Sequence, residues 1–157
     1  KAHIALANIK FNNNFSGRDL DLIAREVITK FGYNYNHGTG HGVGYYLNVH
    51  EGPQAISKNN KVKLKAGMIL SNEPGYYEKG KFGLRIENLI FVRKDKNKNK
   101  FENLTYVPID KNLIEKDLLN KKEISWLNNY HKSVFKNLKK YMNKNELKFL
   151  KNSCSSI

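Results

Sequence analysis

Cysteine is nearly absent from this chain: Cys154 is the single cysteine in 157 residues and lies close to the end. One thiol excludes an internal disulfide framework of the kind that holds small secreted domains together, and it fits a reducing compartment. Long apolar runs are also missing, because no stretch approaches the roughly 20 apolar residues that a membrane-spanning helix needs. We therefore expect no membrane partner and a cytoplasmic location.

Acidic residues are scarce relative to basic ones, with 14 Asp and Glu against 28 Lys and Arg and a formal net charge of +14. An excess of cations can indicate nucleic-acid binding, because Lys and Arg neutralise phosphates. Here the lysines are mixed with asparagines, as in 94–100 and 136–151. Mixed runs of this kind are typical of solvated loops and helix faces, so we predict no nucleic-acid partner.

Two segments have the apolar spacing of helices. Residues 16–19 (Ser-Gly-Arg-Asp) resemble a capping box, and apolar residues then recur at helical spacing as far as Phe31, just before Gly32. A second apolar stripe runs from Ile124 to Tyr141, and it predicts a helical tail over about 111–157 that includes Trp126 in its packing. The chain begins with Lys1 rather than Met, and we expect residues 1–9 to finish a helix that starts in a missing upstream segment.

Strands are predicted between these helical segments. The glycine-rich and then alternating pattern of 33–53 favours strands and tight loops, and Met68–Leu70 is a short apolar strand. We predict one continuous strand over Leu84–Val92, in which Arg85 and Glu87 share a face by the two-residue period. A polar loop over 93–100 and a last strand over 101–108 complete an α+β pattern.

The residue types that carry chemistry are concentrated between His37 and Glu87. Four short runs stand out, and their sequences are HGTGHGVG at 37–44, LNVHEGP at 47–53, NEPGYY at 72–77 and RIEN at 85–88. Their glycines let the backbone approach a ligand or a strand closely, so the histidines can face inward. One imidazole with two carboxylates suits divalent ions, since carboxylates favour manganese and magnesium while imidazole also accepts zinc or cobalt.

These four runs resemble the C-terminal half of the catalytic domain of Xaa-Pro aminopeptidases (aminopeptidase P), which are metallopeptidases with the pita-bread fold. The resemblance covers roughly residues 1–131 in order. It implies a curved antiparallel sheet with flanking helices, and 1–157 as the C-terminal part of a single catalytic domain. Methionine aminopeptidases are similar in layout but carry a glutamine-containing equivalent of the last run, where this chain has Arg85-Ile86-Glu87.

The resemblance implies a role for each site residue. His41, Glu73 and Glu87 are expected to ligate two divalent metal ions, with Mn²⁺ as the first choice and Zn²⁺ or Co²⁺ as alternatives. His37 and His50 are expected to bind substrate and to stabilise charge during catalysis, and Glu73 to move a proton. Arg85 is expected to orient a carboxylate through paired hydrogen bonds. Four tyrosines are expected to line the cleft, namely Tyr45, Tyr46, Tyr76 and Tyr77.

The implied activity is removal of the N-terminal residue from peptides with proline second, by attack of a water that bridges the two metals. Members of the family use two further aspartates and another histidine from an upstream segment, and Asp19 and Asp21 do not fit that motif because they lie on the predicted helix. We therefore expect the upstream half of the enzyme and its N-terminal domains as partners, a homodimer, and no activity from this chain alone. Two alternatives stay open: a prolidase-like dipeptidase, which the sequence Leu47-Asn48-Val49-His50 disfavours, and a non-catalytic binding module.

Overall fold

A computed structural model of the chain describes residues 1–46 and 48–157. The described residues form two compact units, Lys1–Thr105 and Tyr106–Ile157. Leu47, the first residue of the Leu47-to-His50 run that disfavours a prolidase-like dipeptidase, lies outside the described residues. The assignment of the chain to part of one catalytic domain stays a prediction.

The first unit contains two helices and eight strands. In chain order these are α1 (Ala2–Ala7), β1 (Lys10–Phe11), α2 (Gly17–Thr29), β2 (Gly40–His41), β3 (Ala55–Ile56), β4 (Ile69–Asn72), β5 (Gly75–Glu78), β6 (Phe82–Arg85), β7 (Asn88–Asp95) and β8 (Lys98–Asn103). The order β1-β8-β7-β4 makes a four-stranded antiparallel sheet, while β2-β3 and β5-β6 are separate antiparallel pairs. The predicted α+β class is confirmed.

Helix α2 begins where the sequence predicts, because Ser16 and Asp19 cap it reciprocally. The Ser16 N–H donates to Asp19 Oδ2 at 2.8 Å, and the Asp19 N–H donates to Ser16 Oγ at 3.4 Å. The helix packs Leu20 and Ala24 into the core of the unit. Fully buried apolar side chains from the helices, the strands and the connecting segments fill this core, among them Leu6, Phe11, Leu20, Ile56, Leu64, Leu70, Ile90 and Val92.

Strand β2 lies against β4, and this places the glycine-rich run beside the sheet. A bridge joins Gly42 to Leu70, and the Glu73 N–H donates to the Thr39 carbonyl at 2.8 Å. The backbones approach so closely at Gly40 that a Cβ there would overlap the Ser71 carbonyl. Glycine at position 40 therefore lets the residues before and after it lie against β4.

Three strand predictions are wrong. The strand predicted over 84–92 is interrupted, because Ile86 and Glu87 lie between β6 and β7 and the Ile86 N–H donates instead to the Pro74 carbonyl at 3.4 Å. The polar stretch 93–100 is not a loop but the tip of the β7-β8 hairpin, with Lys96 at a φ of 55° in its turn. The last strand ends at 103 rather than near Pro108.

The hairpin tolerates polar residues because opposite charges face each other across the strands. Arg93 pairs with Glu102 at 2.7 Å in the β7-β8 ladder, and Lys10 of β1 pairs with Asp95 at 2.9 Å. Composition predicted a loop here because charged and amide residues are depleted in strands. Exposed strand ends escape that preference, since their side chains remain solvated.

The second unit is the helical tail, with α3 (Lys121–Leu138) and α4 (Lys144–Ser153). Asn120 and Asn143 cap these helices, each through a capping box with a glutamate three residues later. Trp126 is half-buried and stacks on Tyr130 with ring centroids 5.4 Å apart, in a cluster that includes Val134 and Leu150. Among the helices of the described residues, none is both long enough and apolar enough to cross a bilayer.

Candidate metal centre

Three residues from separate parts of the chain converge in the first unit. His41 is the last residue of β2, Glu73 follows β4 directly, and Glu87 lies between β6 and β7. Each contributes one ligand atom to a group in which all the atoms lie within 4.8 Å of one another. Glu73 is buried, His41 is half-buried and Glu87 is exposed, so the group opens to solvent on one side.

The His41 ring presents a lone pair to this group. Its Nδ1 lies 3.0 Å from the Gly42 carbonyl, which can only accept, so Nδ1 carries the proton. The lone pair is then on Nε2, which lies 3.4 Å from Glu73 Oε1. A carbonyl that holds the proton of the distal nitrogen is the usual arrangement for a metal-binding histidine.

Ser71 links Glu73 and His41. Its hydroxyl donates to Glu73 Oε1 at 2.7 Å and accepts from the His41 N–H at 2.9 Å. Sequence reasoning missed Ser71, although a serine two residues before a glutamate on a strand lies on the same face. Through these two contacts Ser71 orients the Glu73 carboxylate and the backbone of His41.

The chemistry of the donor set fits a divalent cation. Imidazole Nε2 with carboxylate oxygens is a ligand set used for manganese, zinc and cobalt. Glu73 as a residue is 7% exposed, and the contacts of its carboxylate within the described residues include His41, Ser71 and Arg85. A buried carboxylate is expensive unless charge and hydrogen bonds compensate it, and a bound cation would supply the remaining charge.

A chain of hydrogen bonds runs from Arg85 to His37. The Arg85 Nε donates to the Tyr77 hydroxyl at 2.9 Å, and that hydroxyl lies 2.8 Å from His37 Nε2. His37 Nδ1 lies 2.7 Å from the Gly38 carbonyl, so Nδ1 carries a proton and a neutral His37 accepts from Tyr77. The hydrogen bond to Tyr77, together with nearby carboxylates, raises the pKa of Arg85.

Arg85 contacts a carboxylate, but through one contact rather than a pair. Its Nη1 lies 3.3 Å from Glu73 Oε2, while its Nε is used by Tyr77. The bidentate geometry expected from the sequence is therefore absent, because the guanidinium bridges two different partners. Tyr77, which was expected to line the cleft, connects Arg85 to His37 through its hydroxyl.

His50 lies beside the group rather than in it. Its exposed ring packs on the His41 ring with centroids 4.1 Å apart. Tyr45 and Tyr46 are almost fully solvated, 89% and 88% exposed, and Tyr76 packs edge-on against Tyr33 at 5.0 Å. Of the four tyrosines expected at a cleft, Tyr77 contacts predicted site residues, through the hydrogen bonds of its hydroxyl with His37 and Arg85.

Helix α2 carries two aspartates, Asp19 and Asp21, that were not assigned to the metal site from the sequence. Asp19 is a helix cap, and the hydrogen bonds from Ser16 lower its pKa. Asp21 instead is buried and pairs with Arg25 at 2.7 Å. The signal for this pair was its i, i+4 spacing on the helix, which brings the two side chains to one face.

The chain matches known protein families along most of its length. Residues 1–94 match the family described as metallopeptidase family M24, and residues 98–157 match the C-terminal region of peptidase M24. The chain belongs to metallopeptidase family M24. It is 44% identical to Xaa-Pro aminopeptidase 1 of Dictyostelium discoideum, over 100% of this chain and 27% of that protein.

Solved structures of an aminopeptidase and a prolidase resemble the chain as well. X-prolyl aminopeptidase from Caenorhabditis elegans, described as a cytosolic enzyme with a di-nuclear active site, is 42% identical over 99% of this chain and 27% of that chain, with a TM-score of 0.92. Prolidase from Pyrococcus furiosus is 34% identical over 68% of this chain and 30% of that chain, with a TM-score of 0.58. The predicted pita-bread fold is confirmed, and the chain spans about a quarter of the length of the aminopeptidases it matches.

Proposed function

We propose that this chain is the C-terminal part of an Xaa-Pro aminopeptidase, which releases the N-terminal residue from peptides with proline second. The observation that supports this most strongly is the convergence of His41, Glu73 and Glu87 within 4.8 Å. It occurs in a chain whose whole length resembles Xaa-Pro aminopeptidases of D. discoideum and C. elegans. A binding module without catalysis would have no need for this donor set.

His41, Glu73 and Glu87 would hold divalent metal, with Mn²⁺ as our first choice and Zn²⁺ or Co²⁺ as alternatives. Two bound ions would lower the pKa of a water and polarise the scissile carbonyl. Ser71 fixes Glu73 Oε1, which leaves Oε2 for Arg85 and for proton transfer toward the leaving nitrogen. The two further aspartates and the histidine that the resemblance implies would come from an upstream segment.

His37 and His50 are proposed to bind the peptide. His37 is oriented by Tyr77, and His50 by packing on His41. An Xaa-Pro bond has no N–H, so a peptidase for it cannot hold the scissile amide through that donor. Contacts to the carbonyl and to the flanking residues must replace it, and two imidazoles beside the carboxylates are suited to that task.

A prolidase-like dipeptidase is the second candidate. It is supported by the likeness to the P. furiosus prolidase, which covers 68% of the chain. Against it, the aminopeptidase relatives also cover the helical tail. Hydrolysis of an Xaa-Pro dipeptide and of an Xaa-Pro-Xaa tripeptide by the full-length protein separates the two, since a dipeptidase would cleave only the first. No hydrolysis of either peptide in the presence of Mn²⁺ would favour the binding module.

The ligand assignment is tested by metal analysis of two variants of the full-length protein. We expect His41→Ala to lose metal and activity together, because it removes a ligand. His50→Ala should keep its metal and lose about 10²-fold or more in rate, as is typical when a group that stabilises developing charge is removed. Loss of metal from His50→Ala with retention in His41→Ala would falsify the assignment.

The remaining partners follow from the same proposal. We propose peptides with N-terminal Xaa-Pro as substrates, the upstream half of the enzyme as an intramolecular partner, and a homodimer as the assembly. A cytoplasmic location is supported by the single cysteine and by the description of the C. elegans enzyme as cytosolic. Sedimentation of the purified full-length protein tests the dimer, and fractionation of cells tests the location.

A further inference from the structure

A buried ion pair on α2 faces the loop that carries His37. Asp21 is 1% exposed and accepts from Arg25 Nε at 2.7 Å. Its other oxygen, Oδ1, accepts from Thr39 Oγ1 at 2.5 Å, and Thr39 Oγ1 also lies 2.5 Å from the Tyr35 hydroxyl. One carboxylate therefore holds both the guanidinium on its own helix and a side chain from the loop.

The guanidinium of Arg25 uses its other N–H groups on the same loop. Its Nη1 donates to Asn34 Oδ1 and to the Tyr35 carbonyl, each at 2.8 Å, and its Nη2 donates to the His37 carbonyl at 2.6 Å. Its Cζ also lies over the Tyr35 ring, 4.2 Å from the ring centroid. A rigid fork with five donors can satisfy this set of acceptors at once, whereas the ammonium of lysine cannot.

The loop held in this way ends at the candidate metal centre. The His37 carbonyl is held by Arg25 while the His37 ring meets Tyr77, so backbone and ring are fixed from opposite ends. Two residues later, the Thr39 carbonyl accepts from the Glu73 N–H at 2.8 Å. A shift of this loop would move His37 and disturb the backbone of Glu73.

We propose that Arg25, held by Asp21, is a positioning residue that sets the His37 imidazole for the peptide substrate. This inference rests on the proposed function, because it acts through a residue that we assign to substrate binding. A role in stability alone explains the pair less well. Buried ion pairs add little net stability, while several directed hydrogen bonds to one loop restrict its position.

The surroundings of Arg25 make the proposal testable by chemical rescue. A cavity of about 600 Å³ lies against Arg25 and is open to solvent, with Asn34, His37 and Ser57 among its lining residues. Truncation of Arg25 would enlarge this cavity beside Asp21. A guanidinium ion from solution could then occupy the vacated place and donate to the same oxygens.

The first measurement uses Arg25→Ala in the metal-loaded full-length enzyme with an Xaa-Pro tripeptide. We expect kcat/KM to fall by about 10²-fold, the loss that a displacement of about 1 Å can cause, with metal content unchanged. Guanidinium at millimolar concentration should restore part of the loss, and methylammonium at the same concentration should not. Arg18→Ala, an exposed arginine on the same helix, is the matched control and should retain full activity.

A double-mutant cycle with His37→Ala separates positioning from stability. If Arg25 acts through His37, Arg25→Ala should cost little once His37 is gone, because coupled residues are not additive. The same fold-loss in both backgrounds, or a loss of metal, overturns the proposal. If Arg25→Ala does not fold, Arg25→Lys takes its place in the cycle, since it keeps a cation beside Asp21.

A readout without activity keeps the inference distinct from the proposed function. Diethyl pyrocarbonate should modify His37 faster in Arg25→Ala than in wild type, because its Nε2 would no longer be held at Tyr77. His131, buried in the helical unit, serves as the internal reference for unfolding and should stay unreactive. An unchanged modification rate at His37 in Arg25→Ala overturns the positioning role of Arg25, whether or not the wild-type enzyme hydrolyses Xaa-Pro peptides. Failure of the wild-type enzyme to hydrolyse any Xaa-Pro peptide instead refutes the proposed function.

Discussion

Substitution of Ser71 by alanine tests the candidate metal centre at the residue that links two of its proposed ligands. The Ser71 hydroxyl is the acceptor for the His41 N–H at 2.9 Å and a donor to Glu73 Oε1 at 2.7 Å. Ser71 is fully buried, so water cannot easily replace the lost hydroxyl. Alanine would leave the N–H without this acceptor and would free the carboxylate to rotate.

Two magnitudes follow from these contacts. A buried group left without its hydrogen-bond partner costs about 1 to 3 kcal/mol in the free energy of unfolding. Loss of an outer partner of a metal ligand typically weakens metal binding by about 10- to 100-fold. We therefore expect Ser71→Ala to bind Mn²⁺ 10- to 100-fold more weakly than wild type, and to unfold at lower temperature even when metal is removed.

The assay is titration of metal-free full-length protein with Mn²⁺ in competition with a chelating dye, together with thermal unfolding with and without metal. Ser57→Ala is the matched control, since Ser57 follows β3 and is half-buried, and it should bind metal as wild type does. Ser71→Thr should recover most of the affinity because it retains the hydroxyl. Wild-type metal affinity in Ser71→Ala would refute the view that Ser71 orients the ligands.

Three further predictions concern pH, backbone approach and the isolated chain. Burial lowers the pKa of His3 to about 4 from 6.5. As the pH falls, His3 is protonated in the unfolded chain before it is protonated in the folded one. Its contribution to the free energy of unfolding should therefore be complete above pH 6.5 and should fall by about 3 kcal/mol between pH 6.5 and 4. Denaturant unfolding across this range should show a smaller fall for His3→Gln than for wild type, and identical profiles would contradict the prediction. Gly40→Ala should shift β2 from β4, lower the free energy of unfolding by about 1 to 3 kcal/mol and cause loss of metal, as measured by thermal unfolding and metal analysis. Gly52→Ala, where a Cβ meets open space, should change neither the stability nor the metal content. The 157-residue chain alone should hydrolyse no Xaa-Pro peptide in excess Mn²⁺ but should gain activity when mixed with the upstream half; hydrolysis by the homogeneous chain alone would require ligands other than those proposed.

The features that the sequence predicted well depend on groups a few residues apart. The capping box that begins α2 is satisfied within four residues, so Ser16 with Asp19 marks a helix start without reference to the rest of the fold. The helical tail likewise follows from its apolar period. The four motifs were recognisable for a related reason, since they are short runs of fixed spacing that resemble one family.

The tertiary structure alone decided how the strands are divided. The chain from 84 to 92 alternates like one strand, yet Ile86 bonds back to Pro74 and the ladder restarts at Asn88 against β4. Likewise, the polar segment 93–100 is a hairpin because β7 and β8 pair with each other. Strand pairing joins residues far apart in the chain, so a local period cannot show where it stops.

The sequence by itself determined which residue types are available for metal and peptide chemistry, namely His37, His41, His50, Glu73 and Glu87. Only the tertiary structure decided which groups orient them. Ser71 acquires its role because β2 lies against β4, and Arg25 because α2 packs beside the loop over 34–39. A hydrogen bond depends on distances of about 3 Å between atoms, and those distances are set by packing between elements rather than by spacing along the chain.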